Sequence, residues 1–316
     1  MSEPVGWVEV RVPATSANLG PGFDSFGLAL GLHDLVQAKI TGSGVRIEVS
    51  GVGEPTARFG EDHLVVRAMR AAFDALGGQP PGIGLRCVNS IPHGFGLGSS
   101  AAAIVAGILA ARALRGETGP ASLPDSAVLG LATSLEGHAD NVAACLAGGL
   151  TIAWTTDEPD GQVRYARFDP VPGLTPVLCV PAVPLPTNAA RQLLPATVPH
   201  ADAAANAARS ALLIAGLTRS ELAADPALLL EATRDLLHQP YRASAMPDTA
   251  HLVGALRDAG IPAVVSGAGP AVLALAVPGA PAGPDVVAAI AGAAGDDWKV
   301  QVLDVDRDGA TVRVLP

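Results

Sequence analysis

Hydrophobic residues recur along the chain with two different periods, which predict a mixture of helices and strands. Between Glu61 and Gly77 they recur at helical spacing and form one apolar face, made of Leu64, Val65, Ala68, Met69, Ala72, Phe73 and Leu76. Short apolar runs bounded by glycine and proline predict strands at residues 5–12, 35–41, 45–49, 83–88, 150–154, 177–180, 261–265, 272–276, 300–303 and 311–314. Further helices are predicted at residues 101–114, 125–136, 203–217, 226–237 and 284–294, and one more is expected to end near residue 146.

Glycine and proline predict how some of these elements end or connect. The strands at residues 35–41 and 45–49 are joined through Gly42-Ser43-Gly44 and are expected to form a hairpin. Proline is expected to end the first strand at Pro13 and to break the helix after residue 237 at Pro240. The last two predicted strands are expected to finish the sheet.

A glycine-rich loop connects the strand at residues 83–88 to the apolar helix at residues 101–114. It reads Ile-Pro-His-Gly-Phe-Gly-Leu-Gly-Ser-Ser over residues 91–100. Glycine lets the backbone approach a ligand closely, since a side chain would block the approach, and the helix directs its unpaired amides and positive dipole end at the loop. Strand, loop and helix together predict an anion site, most often for phosphate. The competing interpretation is a plain turn in which Ser99 or Ser100 caps the helix, although one cap leaves the second hydroxyl free for a metal or phosphate.

The residue spacing excludes two common kinds of nucleotide loop. No lysine follows the last glycine, as a Walker A loop requires, and the only lysines are Lys39 and Lys299. The glycines do not fit the G-x-G-x-x-G spacing of a dinucleotide site, and no acidic residue follows at the required distance. A nucleotide site without lysine needs Mg²⁺ to neutralise the phosphates, and Mg²⁺ prefers one or two carboxylates with a hydroxyl and waters.

Two other segments concentrate polar side chains. Residues 13–24 read Pro-Ala-Thr-Ser-Ala-Asn-Leu-Gly-Pro-Gly-Phe-Asp, with more polar groups than a turn requires. Residues 136–141 read Glu-Gly-His-Ala-Asp-Asn and precede an apolar helix. Glu136 and Ser100 would supply the carboxylate and hydroxyl of a Mg²⁺ site. The alternative is structural, with Asp140 as a helix cap and Glu136 as a solvated helix end.

Composition limits the classes of partner. A chain of 316 residues is long enough for two domains, and its formal net charge of −10 argues against nucleic acid or an anionic membrane as partner. The cysteines Cys87, Cys145 and Cys179 are widely spaced in apolar surroundings, which favours reduced core thiols of a cytoplasmic protein over a metal cluster. The N-terminus lacks the pattern of a signal peptide, and the longest apolar run is too short to span a bilayer.

Taken together, the motifs resemble those of the GHMP kinases. The string Pro-x-x-x-Gly-Leu-Gly-Ser-Ser-Ala-Ala at residues 92–102 resembles their phosphate loop. Residues 13–24, followed by Gly27-Leu28-Ala29, resemble the N-terminal motif of the homoserine kinases within that family. The segments 187–191, 239–242 and 266–270 resemble further motifs of these enzymes, in family order and across the whole chain.

The resemblance implies an activity and a fold. The activity is ATP-dependent phosphorylation of the side-chain hydroxyl of L-homoserine to O-phospho-L-homoserine, in threonine biosynthesis. The fold is α+β with two domains: an ATP-binding domain like domain 2 of ribosomal protein S5 at residues 1–160, with a left-handed βαβ crossover, and a ferredoxin-like domain at residues 161–316. The protein is also expected to be a homodimer.

The resemblance further implies roles for individual residues. The residues expected to bind ATP are Pro92, His93, Gly94, Phe95, Gly96, Leu97, Gly98, Ser99, Ser100, Ala101 and Ala102, with Gly267 and Gly269 closing over the site. Ser100 and Glu136 are expected to hold Mg²⁺. The residues expected to bind the amino acid are Asn18, Asp24, His138, Asp140, Thr187, Arg191 and Arg242. The two arginines would bind the α-carboxylate bidentately, whereas surface solvation is the alternative for each.

Asp140 and Asn141 are the candidate catalytic residues, and the role of Asp140 is left open. It aligns with a catalytic aspartate of mevalonate kinases, but those enzymes pair that residue with a lysine, and this chain has none nearby. Asp140 either takes the hydroxyl proton or binds the substrate ammonium while the proton passes directly to phosphate. Two other functions are weighed: a GHMP kinase for another small alcohol, and a non-catalytic protein that keeps the fold. The second would be expected to lose Ser100, Glu136 or a loop glycine, and all are present.

Overall fold

Two β-sheets with helices packed on them form the computed structural model, which describes residues 6–53, 60–116, 123–157, 161–185, 190–223, 225–277 and 285–316. The strands are β1 Val8–Ala17, β2 Phe26–Thr41, β3 Gly44–Gly51, β4 Gly82–Asn89, β5 Leu150–Thr155, β6 Val163–Phe168, β7 Thr175–Pro181, β8 Ala263–Val265, β9 Val272–Ala276, β10 Trp298–Val302 and β11 Thr311–Val314. The helices are α1 Leu64–Ala75, α2 Ser99–Arg115, α3 Asp125–Glu136, α4 Ala139–Ala147, α5 His200–Thr218, α6 Ser220–Ala223, α7 Pro226–Ala232, α8 Gln239–Arg242, α9 Pro247–Asp258 and α10 Val286–Ala294, with a 3₁₀ turn at Ala243–Ala245. This arrangement confirms the expected α+β fold.

The larger sheet runs in the order β11-β1-β2-β4-β3, with β5 paired to β2 and β6 to β5. Helix α2 is apolar on nearly every face because it is enclosed between this sheet and α1, and Ile104, Val105 and Ile108 are fully or almost fully buried. The packing holds α2 rigidly, and its N-terminus therefore has a fixed direction.

The expected hairpin at residues 35–49 is wrong. Strand β3 does not pair with β2 but lies parallel to β4, and β4 lies between them. Helix α1 connects β3 to β4, so the parallel pairing places its apolar face, with Val66, Met69 and Phe73, on the core. Burial of this face depends on contacts between distant segments. The glycine-containing sequence between β2 and β3 therefore did not indicate which strand β3 pairs with.

The smaller sheet is antiparallel throughout, in the order β10-β7-β9-β8. Its chain sequence of strand, helices, two strands, helix and strand gives the expected ferredoxin-like arrangement. Helices α9 and α10 cover one face and share a second core with it, which includes Val177, Leu252, Leu256, Val272 and Ile290. The predicted strands at residues 300–303 and 311–314 therefore do not finish one sheet, because β10 lies in the smaller sheet and β11 in the larger.

The division of the chain after residue 160 stays a prediction. Strand β6, which follows that position, still pairs with β5 in the larger sheet. The C-terminal strand β11 also returns to the larger sheet and pairs with β1. Segments from both sides of residue 160 therefore build the same sheet.

Proline acts differently from expectation at two places. Strand β1 continues through Pro13 to Ala17, because its pairing with β2 shifts register between Pro13 and Ala14 and accommodates the missing amide. Residues 239–242 form the short helix α8, with Pro240 in the first turn, where no amide hydrogen is needed. The preceding helix α7 ends earlier than expected, at Ala232.

The three cysteines are free and buried, as predicted. Burial raises the pKa of Cys179 to about 11, and each thiol therefore stays protonated and unreactive. Within the described part of the chain, no helix combines the length and the hydrophobicity needed to cross a membrane.

Candidate active site

The glycine loop and the first turn of α2 form a concave backbone surface. Gly94, Gly96 and Gly98 have φ values of 80°, 76° and 66°. Such left-handed residues turn successive amide groups toward a common point, which favours an anion. The N-cap of α2 is Gly98, and in the described structure no side chain caps the helix, so the interpretation of Ser99 or Ser100 as a cap is wrong. Both hydroxyls lie in the first helical turn and are available to other partners.

Protein atoms, and not only a ligand, require the glycines of this loop. A Cβ at Gly96 would overlap the carbonyl oxygen of Ser266, and a Cβ at Gly98 would overlap Oγ1 of Thr15. At these two positions a side chain would therefore first overlap protein atoms, and not the space expected for the phosphate. The loop is pressed against β1 on one side and against residues 266–270 on the other.

The glycine turn at residues 266–270 packs directly on the phosphate loop. Oγ of Ser266 lies 2.8 Å from the Gly96 carbonyl oxygen, and the amide of Gly267 donates to the Ala17 carbonyl at 3.1 Å. The turn thus covers one side of the glycine loop. Gly267 lines the resulting cleft, whereas Gly269 packs on Met246.

A cleft of about 90 Å³ lies between these loops and brings most of the predicted polar residues together. Its lining includes Asn18, Gly94, Gly96, Leu97, Gly98, Ser99, Ser100, Glu136, His138, Asp140, Asn141, Arg191, Arg242 and Gly267. Asp24 joins it through Arg191. Thr187 lies outside the described residues. Ala101 and Ala102 are fully buried in the core, and Phe95 packs against the core.

Ser100 and Glu136 form a close pair at the N-terminus of α2. Oγ of Ser100 donates to Oε2 of Glu136 at 2.6 Å. Burial raises the pKa of Glu136, while the Ser100 hydrogen bond and the nearby Arg191 charge oppose this shift. No group of three or more metal-binding His, Cys, Asp or Glu side chains occurs in the described residues.

Asp140 and Asn141 lie in the first turn of α4 but contact different neighbours. Asp140 is only 2% exposed, and Oδ1 accepts a hydrogen bond from the Asn141 amide at 2.7 Å. Burial, the largest effect, raises the pKa of Asp140 to about 6. Oδ1 of Asn141 accepts from the Thr15 hydroxyl at 2.7 Å, and Asn141 thereby ties α4 to β1 beneath Gly98.

The two predicted arginines differ in their partners. Arg191 is half-buried and forms an ion pair with Asp24, with 3.2 Å between Nη2 and Oδ1. Arg242 is only 1% exposed, and its hydrogen-bond partners are the Ala190 carbonyl and the His238 ring. No carboxylate of the described residues lies within ion-pair distance of Arg242. Because Arg242 is buried, the interpretation that it is solvated at the surface is wrong.

Comparison with known proteins identifies the family. The model of the GHMP kinases N terminal domain matches residues 63–149, and that of the GHMP kinases C terminal matches residues 214–296. The chain is 54% identical to the homoserine kinase of Streptomyces coelicolor, covering 98% of this chain and 95% of that one. It is 53% identical to the homoserine kinase of Streptomyces avermitilis, covering 98% and 96%. The crystal structure of homoserine kinase from Cytophaga hutchinsonii aligns with a TM-score of 0.81 at 28% identity, covering 99% of this chain and 98% of that one.

The chain belongs to the GHMP kinase family. It is therefore an ATP-dependent kinase with the two-domain fold that the motifs implied. One cleft brings together the glycine loop, the Ser100–Glu136 pair and the buried Asp140.

Two features of this GHMP kinase were missed by sequence reasoning. The first is a cavity of about 350 Å³ beside the phosphate loop, whose lining includes Asp34, His63, Asn89, His93 and Ser99. His93 lines this cavity and not the cleft, and its role in binding ATP stays a prediction. The second is His238, which contacts Arg242. Its position four residues before Arg242, where a helical turn brings side chains together, is the signal that could have found it.

Proposed function

We propose that this GHMP kinase transfers the γ-phosphoryl group of ATP to the side-chain hydroxyl of L-homoserine, giving O-phospho-L-homoserine and ADP in threonine biosynthesis. The observation that carries the proposal is a pair of opposite charges in the cleft, Asp24 with Arg191, beside the buried Arg242, which has no ion-pair partner among the described residues. A free amino acid carries one ammonium and one carboxylate, and this arrangement complements both. Mevalonate carries no ammonium, and galactose carries neither charge.

Arg242 is the strongest candidate for the carboxylate. Burial lowers the pKa of Arg242, and the nearby charges of Asp24, Asp235 and Asp140 only partly oppose this shift. The direct contacts of its guanidinium are with a carbonyl, a neutral ring and the face of Phe23, at 5.6 Å, and none of these is an anion. A substrate carboxylate would supply the missing anion through a charge-assisted, bidentate contact. Arg191 would add to this attraction from the open side.

Asp24 is the candidate for the ammonium, and Asn18 would position it. Both ends of the Asn18 amide are occupied: Nδ2 donates to the Gly267 carbonyl at 2.8 Å, and Oδ1 accepts from the Asp24 amide at 2.9 Å. One amide hydrogen and one lone pair of Asn18 remain for a ligand. We assign it to holding the loop that carries Asp24.

The nucleotide would bind across the phosphate loop. The amides of the left-handed glycines and of the first turn of α2 would bind the phosphates. Ser99 lines both the cleft and the 350 Å³ cavity, and this continuity supports the cavity as the binding site of the nucleoside.

Ser100 and Glu136 fit a Mg²⁺ ion. They offer one hydroxyl and one carboxylate oxygen side by side, and Mg²⁺ takes its other ligands from phosphates and water. When bound, the ion neutralises phosphate charge, which is the main need of phosphoryl transfer. Glu136 would hold it, and the loop would keep the phosphates in line with the acceptor hydroxyl.

Asp140 would either accept the proton of the substrate hydroxyl or bind the substrate ammonium. With a pKa of about 6, its carboxylate is mostly ionised at neutral pH yet close enough to neutrality to accept a proton. One oxygen is held by the Asn141 amide, and no hydrogen bond from the described residues reaches the other. Asn141 would fix the carboxylate in place from the β1 side.

We expect Glu136→Gln to reduce turnover at least tenfold, which corresponds to about 1.4 kcal/mol of barrier. The amide keeps the shape and can still bond to Ser100, but it binds Mg²⁺ poorly. Because burial already disfavours the charged form of Glu136, the variant should stay folded. Turnover measured at limiting Mg²⁺ tests the assignment, and near-normal activity there would contradict it.

We expect Gly98→Ala to weaken ATP binding by at least about tenfold. The left-handed backbone adds roughly 1–2 kcal/mol of strain, and the new Cβ would overlap Thr15 and stand 2.9 Å from Oδ1 of Asn141. Gly130→Ala is the matched control, because no described atom lies within 4 Å of a Cβ at that position. Titration calorimetry with ATP compares the two variants. Equal ATP affinity in a folded Gly98→Ala would show that the loop is only a packing turn.

An ADP-release assay across homoserine, mevalonate, galactose and shikimate tests the proposed substrate. We expect homoserine to give the highest kcat/KM by a wide margin. A higher value for any of the other three alcohols would replace the proposal with a kinase for that compound.

We also infer a cytoplasmic homodimer without nucleic acid or membrane partners. Three free buried thiols and the acidic composition support the location and the lack of polyanionic partners. The exposed Val312 and Val314 on the edge strand β11 support self-association. Sedimentation velocity would detect the dimer.

A further inference from the structure

We infer that His238 is a positioning residue that joins the carboxylate-binding Arg242 to the loop that carries Asp24. It would thereby fix the distance between the groups that bind the carboxylate and the ammonium of the amino acid. This inference rests on the proposed function. The geometry points to it because His238 contacts both elements at once. Its side chain is fully buried and lies directly before α8, one turn from Arg242.

Both ring nitrogens of His238 have partners. Nδ1 lies 3.1 Å from Nη1 of Arg242, and Nε2 lies 2.9 Å from the Gly20 carbonyl oxygen. The ring also stacks on Phe23, with 5.2 Å between the centroids. One side chain thus contacts the arginine, the loop backbone and a loop side chain.

These contacts define the tautomer. A guanidinium can only donate, so Nδ1 must accept, and a carbonyl can only accept, so Nε2 must carry the hydrogen. The imidazole is therefore neutral. A second ring hydrogen would be directed at the guanidinium and would break the contact. Burial lowers the pKa of His238, and the Arg242 charge lowers it further. The charges of Asp235, whose Oδ2 lies 3.4 Å from Nε2, and of Asp24 oppose this shift.

The loop at residues 18–24 needs external support. Asn18, Leu19 and Asp24 have φ values of 68°, 49° and 52°, which residues other than glycine rarely adopt. The second half of the chain holds two successive carbonyls of this loop: His238 binds that of Gly20, while Asn206 and Ser210 bind that of Pro21 at 2.7 and 2.8 Å. Among these three residues, only His238 also contacts an arginine of the cleft.

Loss of His238 should therefore affect the amino acid and not the nucleotide. His238→Phe keeps the bulk and the stacking but loses both hydrogen bonds. We expect it to raise the KM for homoserine roughly tenfold or more, the usual effect of losing hydrogen bonds to charged groups. The kcat and the KM for ATP should change little. His238→Gln offers one acceptor and one donor and should recover much of the loss.

Homoserine amide separates positioning from a general structural role. The amide lacks the anion but keeps the ammonium, so its kcat/KM should fall less in His238→Phe than the kcat/KM of homoserine does. His251→Gln, an exposed histidine on α9, is the matched control and should behave as wild type. Equal losses for acid and amide, or equal losses in the Phe and Gln variants, would overturn the inference.

The tautomer gives a readout that does not need activity. Nitrogen NMR of histidine-labelled wild type should show a neutral His238 ring with hydrogen on Nε2, and a ring protonated at Nδ1 would overturn the inference even if His238→Phe fails to fold. If wild type does not phosphorylate homoserine, the proposed function fails. If it does and His238→Phe keeps the wild-type KM, only this inference fails.

Discussion

Replacing Asp140 with asparagine is expected to remove most kinase activity and, at neutral pH, to stabilise the folded protein. The loss of activity should be roughly hundredfold or more, because the variant lacks a carboxylate that either accepts the proton or binds the ammonium. The gain in stability follows from the pKa of about 6, since a buried carboxylate with a raised pKa is destabilising when charged. A shift from the ordinary value of 3.8 to about 6 corresponds to roughly 3 kcal/mol.

The sign of the pH dependence follows from the same shift. Below pH 3.8 both the folded and the unfolded states are protonated at Asp140, and the penalty is absent. It grows as the pH rises toward about 6 and is complete above that value. Denaturant melts of wild type and Asp140→Asn should therefore differ most above pH 6 and converge on acidification. The exposed Asp297→Asn serves as control. A constant difference at all pH values would contradict the assignment.

Replacing Arg242 with methionine is expected to raise the KM for homoserine roughly ten- to a hundredfold while leaving the KM for ATP nearly unchanged. Methionine keeps much of the buried volume but removes the cation, and a charge-assisted contact of this kind is worth on the order of 1.5–3 kcal/mol. Steady-state kinetics with both substrates separate the two constants. The exposed Arg219→Met is the matched control, since its ion pair with Glu221 lies at the surface.

The Arg242 variant should also respond differently to homoserine amide. Wild type should prefer homoserine to its amide, and Arg242→Met should lose most of that preference. Arg191→Met should show the same trend less strongly, because Arg191 is half-exposed and already paired with Asp24. Additive losses for the amide and for the substitution would show that neither arginine binds the carboxylate.

Local features of the sequence were enough to predict the glycine loop and the helices beside it. Helix α3 has the expected bounds, and α2 differs from expectation by a few residues at its N-terminus. The strand β11 was also placed correctly. In each case the signal lies within the segment, as periodicity or as the glycine and proline residues at its ends.

Contacts between distant segments could not be predicted in the same way. The position of β4 between β2 and β3 depends on burial of α1, and continuation of β1 past Pro13 depends on its pairing with β2. The overlaps that require glycine at positions 96 and 98 involve Ser266 and Thr15, which are distant in sequence. The same is true of Arg242, whose burial and neutral partners only the folded chain reveals.

In the proposed function, the cleft binds both the carboxylate and the ammonium of an amino acid. The most direct test is to measure kcat/KM of the wild type for homoserine, homoserine amide and 4-hydroxybutanoate side by side. The amide lacks the carboxylate, and 4-hydroxybutanoate lacks the ammonium. We expect each analogue to be at least about tenfold poorer than homoserine, because the amide has no carboxylate for Arg242 and 4-hydroxybutanoate has no ammonium for Asp24. An analogue used as well as homoserine would contradict this proposal.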